Sequence, residues 1–140
     1  MIVELRAAPL PVIGPIAVHC WFVVDDAGRV SRWEVWQTPD AGGLSIGHVH
    51  RDLKRPDEGV GGGPPRTLAR WEGDAAGHIK QVLEKIEAYP HCRRYRYWPG
   101  PNSNTFAAWV LREAGVAYAF PWKAFGARYR RTRDNSGTEP

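Results

Sequence analysis

The sequence predicts a single α+β domain, a small and mainly antiparallel sheet packed against two helices. Three observations carry the prediction. Apolar and alternating runs between residues 16 and 51 read as consecutive strands. Residues 74–89 hold an apolar stripe of helical period, and a second apolar helix opens straight after a proline-bracketed turn near residue 100. With 140 residues, 43% of them hydrophobic, the chain is long enough to bury one real core.

Residues 16–24, IAVHCWFVV, form a continuous run of β-branched and aromatic residues bounded by Pro15, which marks a buried strand. The next run, residues 30–37, alternates. Val30, Arg32, Glu34 and Trp36 share one face, and Ser31, Trp33, Val35 and Gln37 the other. The short DAGR turn between them predicts a hairpin. Residues 44–51 read as a third strand, with Leu44, Ile46, His48 and His50 on one face. The Pro- and Gly-rich stretch 54–66 reads as a loop. Its Gly61-Gly62-Gly63 run lacks the G-K-[ST] that follows in a phosphate-binding loop.

The helix expected over 74–89 has Asp74 in its first turn and Ile79, Val82, Leu83 and Ile86 on one stripe, with Pro90 as its stop. Residues 93–98, RRYRYW, read as a short strand or extended segment. A helix over 105–114 ends at Gly115, a favoured position just beyond a C-terminus. Residues 121–129 close the domain, and 130–140 are expected to be a flexible basic and polar tail.

The first 24 residues have the outline of a secretory leader. Glu4 and Arg6 interrupt it, and Pro9, Pro11 and Pro15 break any apolar helix, so a cytoplasmic location is expected. No run reaches the roughly 18 apolar residues of a membrane span. Cys20 and Cys92 form no C-x-x-C pair, which removes zinc-finger and thioredoxin-type readings.

The segment Pro99-Gly100-Pro101-Asn102-Ser103-Asn104-Thr105-Phe106 is the chain's most specific motif. It delivers Ser103 to a helix N-terminus, where unpaired N–H groups and the positive end of the helix dipole favour negative charge. That placement suits a nucleophile with an oxyanion site, and equally a helix cap. His48 and His50 offer a metal pair only if His19 or Asp52 supplies a third ligand. No metal or cofactor is expected on balance.

The stretch from Tyr95 to Gly115, with WEGDAA at 71–76 and the closing AFGARY at 124–129, resembles an uncharacterised bacterial domain-of-unknown-function family with a PGPNSNTF signature, over about residues 17–129. A second, more distant resemblance is to circularly permuted members of the papain-like NlpC/P60 superfamily. These place a histidine early in a strand, H-W-x-I-Y, and a nucleophilic cysteine later, N-C-x-x-F, at a helix start. His19-Cys20-Trp21-Phe22-Val23 looks like the first element and Asn102-Ser103-Asn104-Thr105-Phe106 like the second. The resemblance implies a permuted papain-like fold with Ser103 at the cysteine position and His19 as base. His48 or His50 would orient His19, and Asn102 and Asn104 would aim amides at an oxyanion. The departure is chemical: a serine hydroxyl does not ionise as a thiol does and needs its base at the moment of attack.

The leading expectation is therefore a serine-type hydrolase or acyltransferase acting on an amide or ester bond of a small molecule or peptide. The first alternative is an inactive binding module that captures an anionic small molecule or peptide at the helix N-terminus, with Arg94 or Arg96 nearby. The second is nucleic-acid binding through the basic and aromatic residues of 93–98. A net charge of only +4 makes nucleic acid an unexpected partner.

Overall fold

The computed structural model describes residues 1–130. Its first strand, β1 (Ile2–Pro9), comes from the stretch whose prolines had suggested only a broken leader. Val3, Leu5 and Ala7 alternate with Ile2, Glu4 and Arg6, and the first proline stands at the strand's end, where it does no harm. A turn over residues 10–16 leads to β2 (Val18–Asp26), which pairs with β1 antiparallel from Ile2↔Asp25 to Pro9↔Val18. β3 (Arg29–Val35) follows across Ala27 and Gly28, whose φ values of 53° and 84° suit a tight hairpin turn.

The third expected strand is two. Gly47, at φ 58°, turns the chain between β4 (Leu44–Ile46) and β5 (Val49–Arg51), which pair with each other. A side chain at Gly47 would collide with the Cys92 carbonyl oxygen. His48 therefore lies in the turn, and His48 and His50 do not share a strand face. Beyond the proline- and glycine-rich loop, β6 (Arg66–Glu72) pairs with β1 around a bulge opposite Leu5 and Arg6. The sheet order is β4-β5-β3-β2-β1-β6, antiparallel throughout.

Helix α1 (Gly73–Leu83) starts directly from β6. It stops short of residue 89: Lys85 leaves the helical region, and a 3-10 turn over Ile86–Ala88 carries the chain to Tyr89, which is extended as a residue before proline must be. Helix α2 (Ser103–Glu113) begins two residues earlier than expected. At its end Gly115 N–H bonds Arg112 O and Val116 N–H bonds Leu111 O, a Schellman closure. Residues 93–98 form no strand.

The sheet has two unlike faces. Val3, Leu5, Ala7, Cys20, Phe22, Val24, Trp33, Val35 and Val49 pack against Ala76, Ile79 and Leu83 of α1 and Phe106, Ala107 and Val110 of α2. The opposite face carries His19, Trp21, Arg32 and Glu34, all buried, under the loop that follows β5. Among the described residues no helix is long and apolar enough to cross a membrane. Most of the expected tail, from residue 131, lies outside the described residues.

Candidate functional site

The site is built where β2 and β3 part. Their pairing runs only from Phe22↔Trp33 to Asp26↔Arg29, which leaves the start of β2 open on that side. Asn104 fills the gap. Its Nδ2 donates to Val18 O at 2.9 Å and its Oδ1 accepts from Cys20 N–H at 3.0 Å, so one side chain grips the backbone on both flanks of His19. The N-terminus of α2 is thereby fixed against the strand that carries the histidine.

The same turn is closed by its own chemistry. Asn102 is the N-cap: its Oδ1 accepts from Asn104 N–H and Thr105 N–H, while Thr105 Oγ1 accepts from Asn102 N–H at 3.0 Å. The Phe125 carbonyl accepts from the Nδ2 of both Asn102 and Asn104, at 3.0 and 2.9 Å. Thr105 Oγ1 donates to Gly126 O at 2.7 Å. A side chain at Gly126, φ 94°, would collide with Asn102. The PGPNSNTF and AFGARY segments are thus two halves of one interlock.

These bonds correct the oxyanion assignment. Asn102 Nδ2 is spent on Tyr97 O and Phe125 O, and Asn104 Nδ2 on Val18 O and Phe125 O, so neither amide has a proton left for a ligand. Of the first-turn amides, those of Asn104, Thr105 and Phe106 are taken by Asn102. Among the described residues the Ser103 N–H makes no hydrogen bond, and the Ser103 hydroxyl makes only a long contact, 3.4 Å, to Asn104 Oδ1.

The partner of His19 is neither His48 nor His50. His19 Nε2 lies 2.6 Å from Glu34 Oε2, and Arg32 Nη2 donates to the same oxygen at 2.7 Å. The three side chains are 4%, 1% and 0% exposed. Burial alone would push the Glu34 carboxyl up; its interactions with His19 and Arg32 outweigh that and hold it below the usual carboxylate range. Arg32 Nη1 reaches out of the sheet to Arg55 O and Glu58 O, at 2.8 and 2.6 Å, and its guanidinium stacks over Trp21 at 4.1 Å. His19 itself packs on Trp21 and against the edge of Trp36. Its Nδ1 makes no hydrogen bond among the described residues.

The other two histidines hold loops. His48 Nδ1 lies 2.9 Å from Trp36 O, and its ring stacks on Tyr95. His50 uses one nitrogen on Ser45 Oγ and the other on Thr38 O, and burial holds its imidazole below the ordinary range. The Asp52 carboxylate accepts from Arg32 N–H at 2.8 Å. Among the described residues no group of three or more His, Cys, Asp or Glu gathers where a metal ion would bind.

His19 and Ser103 open onto one cleft of about 440 Å³. Leu10, Pro11, Ile13 and Val60 form its aliphatic side, and Trp36, Tyr95, Tyr97, Trp98 and Phe125 its aromatic side. Among the described residues no Asp, Glu, Lys or Arg lines it. Arg94 and Arg96 are exposed and neither lines the cleft, although the Arg96 N–H donates to Pro101 O at 2.9 Å just ahead of α2. The glycine run packs on the turn after β1, where a side chain at Gly62 would meet the Leu10 carbonyl, and only Val60 of that loop reaches the cleft.

Neither cysteine lines the cleft. Burial pushes the Cys20 thiol up to about 12 and also raises that of Cys92, which donates to Ile86 O and Tyr89 O. Sequence reasoning found Ser103 and His19 but missed Glu34 and Arg32. The signal for both was their charge on the alternating face of a strand with a hydrophobic opposite face.

No curated protein and no solved structure matches the chain. One family model does, that of a protein of unknown function designated DUF3750, and it spans residues 1–129, including the β1 segment that the sequence resemblance had left out. With the whole sheet, both helices and the interlocked closing segment inside that match, the chain belongs to the DUF3750 family.

Proposed function

We propose that the cleft is a serine-type acyl-transfer site that hydrolyses, or transfers the acyl group of, an uncharged ester or amide. The observation that carries this reading is the convergence of Ser103, at the N-terminus of α2, and the buried His19–Glu34 pair on one cleft. Ser103 Oγ attacks the substrate carbonyl carbon and passes its proton to His19 Nδ1, the ring nitrogen that Glu34 leaves open. The Ser103 N–H, unpaired and at the positive end of α2, donates to the oxyanion that develops. His19 then gives the proton to the leaving alkoxide or amine. Water, or an acceptor alcohol, releases the acyl group by the reverse path with His19 again as base.

The reading fits a permuted papain-like arrangement, with the histidine strand early, the nucleophile helix late and a buried acid orienting the imidazole through its far nitrogen. Glu34 is the positioning group in that scheme. A cleft to which the described residues bring no charged side chain suits a neutral substrate better than an anionic one.

The test is covalent labelling with an uncharged alkyl fluorophosphonate. Stoichiometric phosphonylation of the wild type, lost in Ser103→Ala with an unchanged unfolding curve, is the expected result. Equal labelling of the variant, or none of the wild type, returns Ser103 to the role of a helix residue at the edge of a binding cleft.

A further inference from the structure

We propose that Arg32 is a second positioning residue of this site: by sharing Glu34 Oε2 with His19 it neutralises the buried carboxylate and so keeps the histidine an uncharged base. The proposal rests on the serine-type reading for its purpose, but not for its chemistry, which is a matter of charge count in a dry space.

Arg32 and Glu34 are both essentially without solvent exposure, and together they carry no net charge. A neutral His19 leaves the trio balanced, and a protonated one adds a buried positive charge beside a guanidinium that touches the same oxygen. Without Arg32 the balance inverts. The neutral combination then holds one more proton, and the imidazole, intrinsically the stronger base of the two, takes it. At pH 7 the histidine would then be held as an imidazolium, paired with Glu34 and unable to accept the serine proton until the pH is raised.

The surrounding charges do not replace Arg32. On β5, His50 stands opposite Glu34 with both nitrogens engaged. On β1, Arg6 is paired with Glu4. In the covering loop, the Lys54 ammonium sits over Trp36 and pairs with the Glu58 carboxylate. Asp52 is bound to the Arg32 N–H, and the first turn of α2 carries no acid. Among the described residues Glu34 Oε1 has no hydrogen-bond partner, and the carboxylate's hydrogen bonding there runs through the one shared oxygen.

The anchorage of Arg32 adds a second consequence. Its Nη1 is held by the carbonyls of Arg55 and Glu58, so the loop after β5 and the state of the base are joined through one side chain.

The experiment is ¹⁵N NMR of selectively labelled histidine at pH 7, with His19 assigned by His19→Gln. In the wild type His19 is expected as the neutral tautomer protonated at Nε2. An imidazolium there overturns the proposal without any variant. In Arg32→Met the neutral signal is expected to fall at least tenfold, and in Arg32→Met/Glu34→Gln to return. A neutral His19 in a folded Arg32→Met, or an imidazolium in the double variant, also overturns it. Should Arg32→Met not fold, Arg32→Lys keeps the charge and must keep His19 neutral. Fluorophosphonate labelling adds the functional readout: at pH 7 Arg32→Met reacts at least tenfold more slowly, and raising the pH recovers the rate, which structural damage would not do. Absence of any labelling sinks the serine-type reading and leaves the NMR result standing.

Discussion

Asn104→Ala separates an architectural asparagine from a ligand-binding one. The side chain is buried and bonds Cys20 N–H, Val18 O and Phe125 O. Alanine leaves Phe125 O with its second donor, Asn102 Nδ2, but strips the polar partners that the side chain gave Val18 O and Cys20 N–H. Each such buried group costs about 1–3 kcal/mol. Alanine returns at most about 0.7 kcal/mol through its better helix propensity. The net loss is roughly 1–6 kcal/mol, a large part of the ~5–15 kcal/mol that holds a domain together. Urea unfolding followed by tryptophan fluorescence, with linear extrapolation, measures it. Ser103→Ala is the control, since its hydroxyl makes only one long contact and should cost under about 1 kcal/mol. An Asn104→Ala loss no larger than the control's would refute the claim that this amide docks α2 onto β2.

Further outcomes follow from the same geometry. Glu34→Gln should cost about 3–5 kcal/mol at pH 7 by leaving Arg32 buried without its counter-ion. Because the folded carboxyl is held below its ordinary range, its stabilisation is complete above that range and is lost as pH falls through the folded value. The gap between wild type and variant must therefore narrow between pH 7 and pH 3, and a gap that stays constant contradicts the assignment. Gly47→Ala should destabilise by about 1–3 kcal/mol or more, since it strains a positive φ and drives a methyl into the Cys92 carbonyl; an unchanged Tm would refute it. Burial pushes the Cys20 thiol up to about 12, so it stays protonated and unreactive at pH 8. A disulfide-exchange reagent should leave Cys20 unmodified until denaturant is added, and fast labelling of it in the native protein would show that it is not buried.

The sequence made the local elements legible and hid the distant pairings. β2, β3 and their turn follow from one hydrophobic run, one alternation and Asp-Ala-Gly, all of which act over a few residues. β1 was obscured because three prolines rule out a helix and say nothing against a strand that ends at the first of them. β6 hides behind a glycine-rich loop, and only its partner β1 gives Leu68 and Trp71 a reason to be extended. Gly47 broke an alternation that was regular on paper. At the site, Ser103 and His19 are visible because each sits in a local motif. Glu34 meets His19 just beyond the paired part of the β2–β3 hairpin, a contact that no residue in the neighbourhood of either one announces. The asparagines were visible as polar residues at a helix start, but apart from the bond to Tyr97 O their amide protons are claimed by carbonyls 21, 23 or 86 positions away.

The Phe125 carbonyl bears on the order in which the molecule is made. A ribosome delivers α2 well before Phe125, which follows Asn102 by 23 residues and Asn104 by 21. Until then each amide at the helix start lacks one of its two acceptors, and the aromatic side of the cleft lacks its last ring. The nascent chain therefore carries Ser103 and His19 without a finished pocket around them, and any acyl chemistry begins only after the segment ending at Tyr129 has closed over the turn.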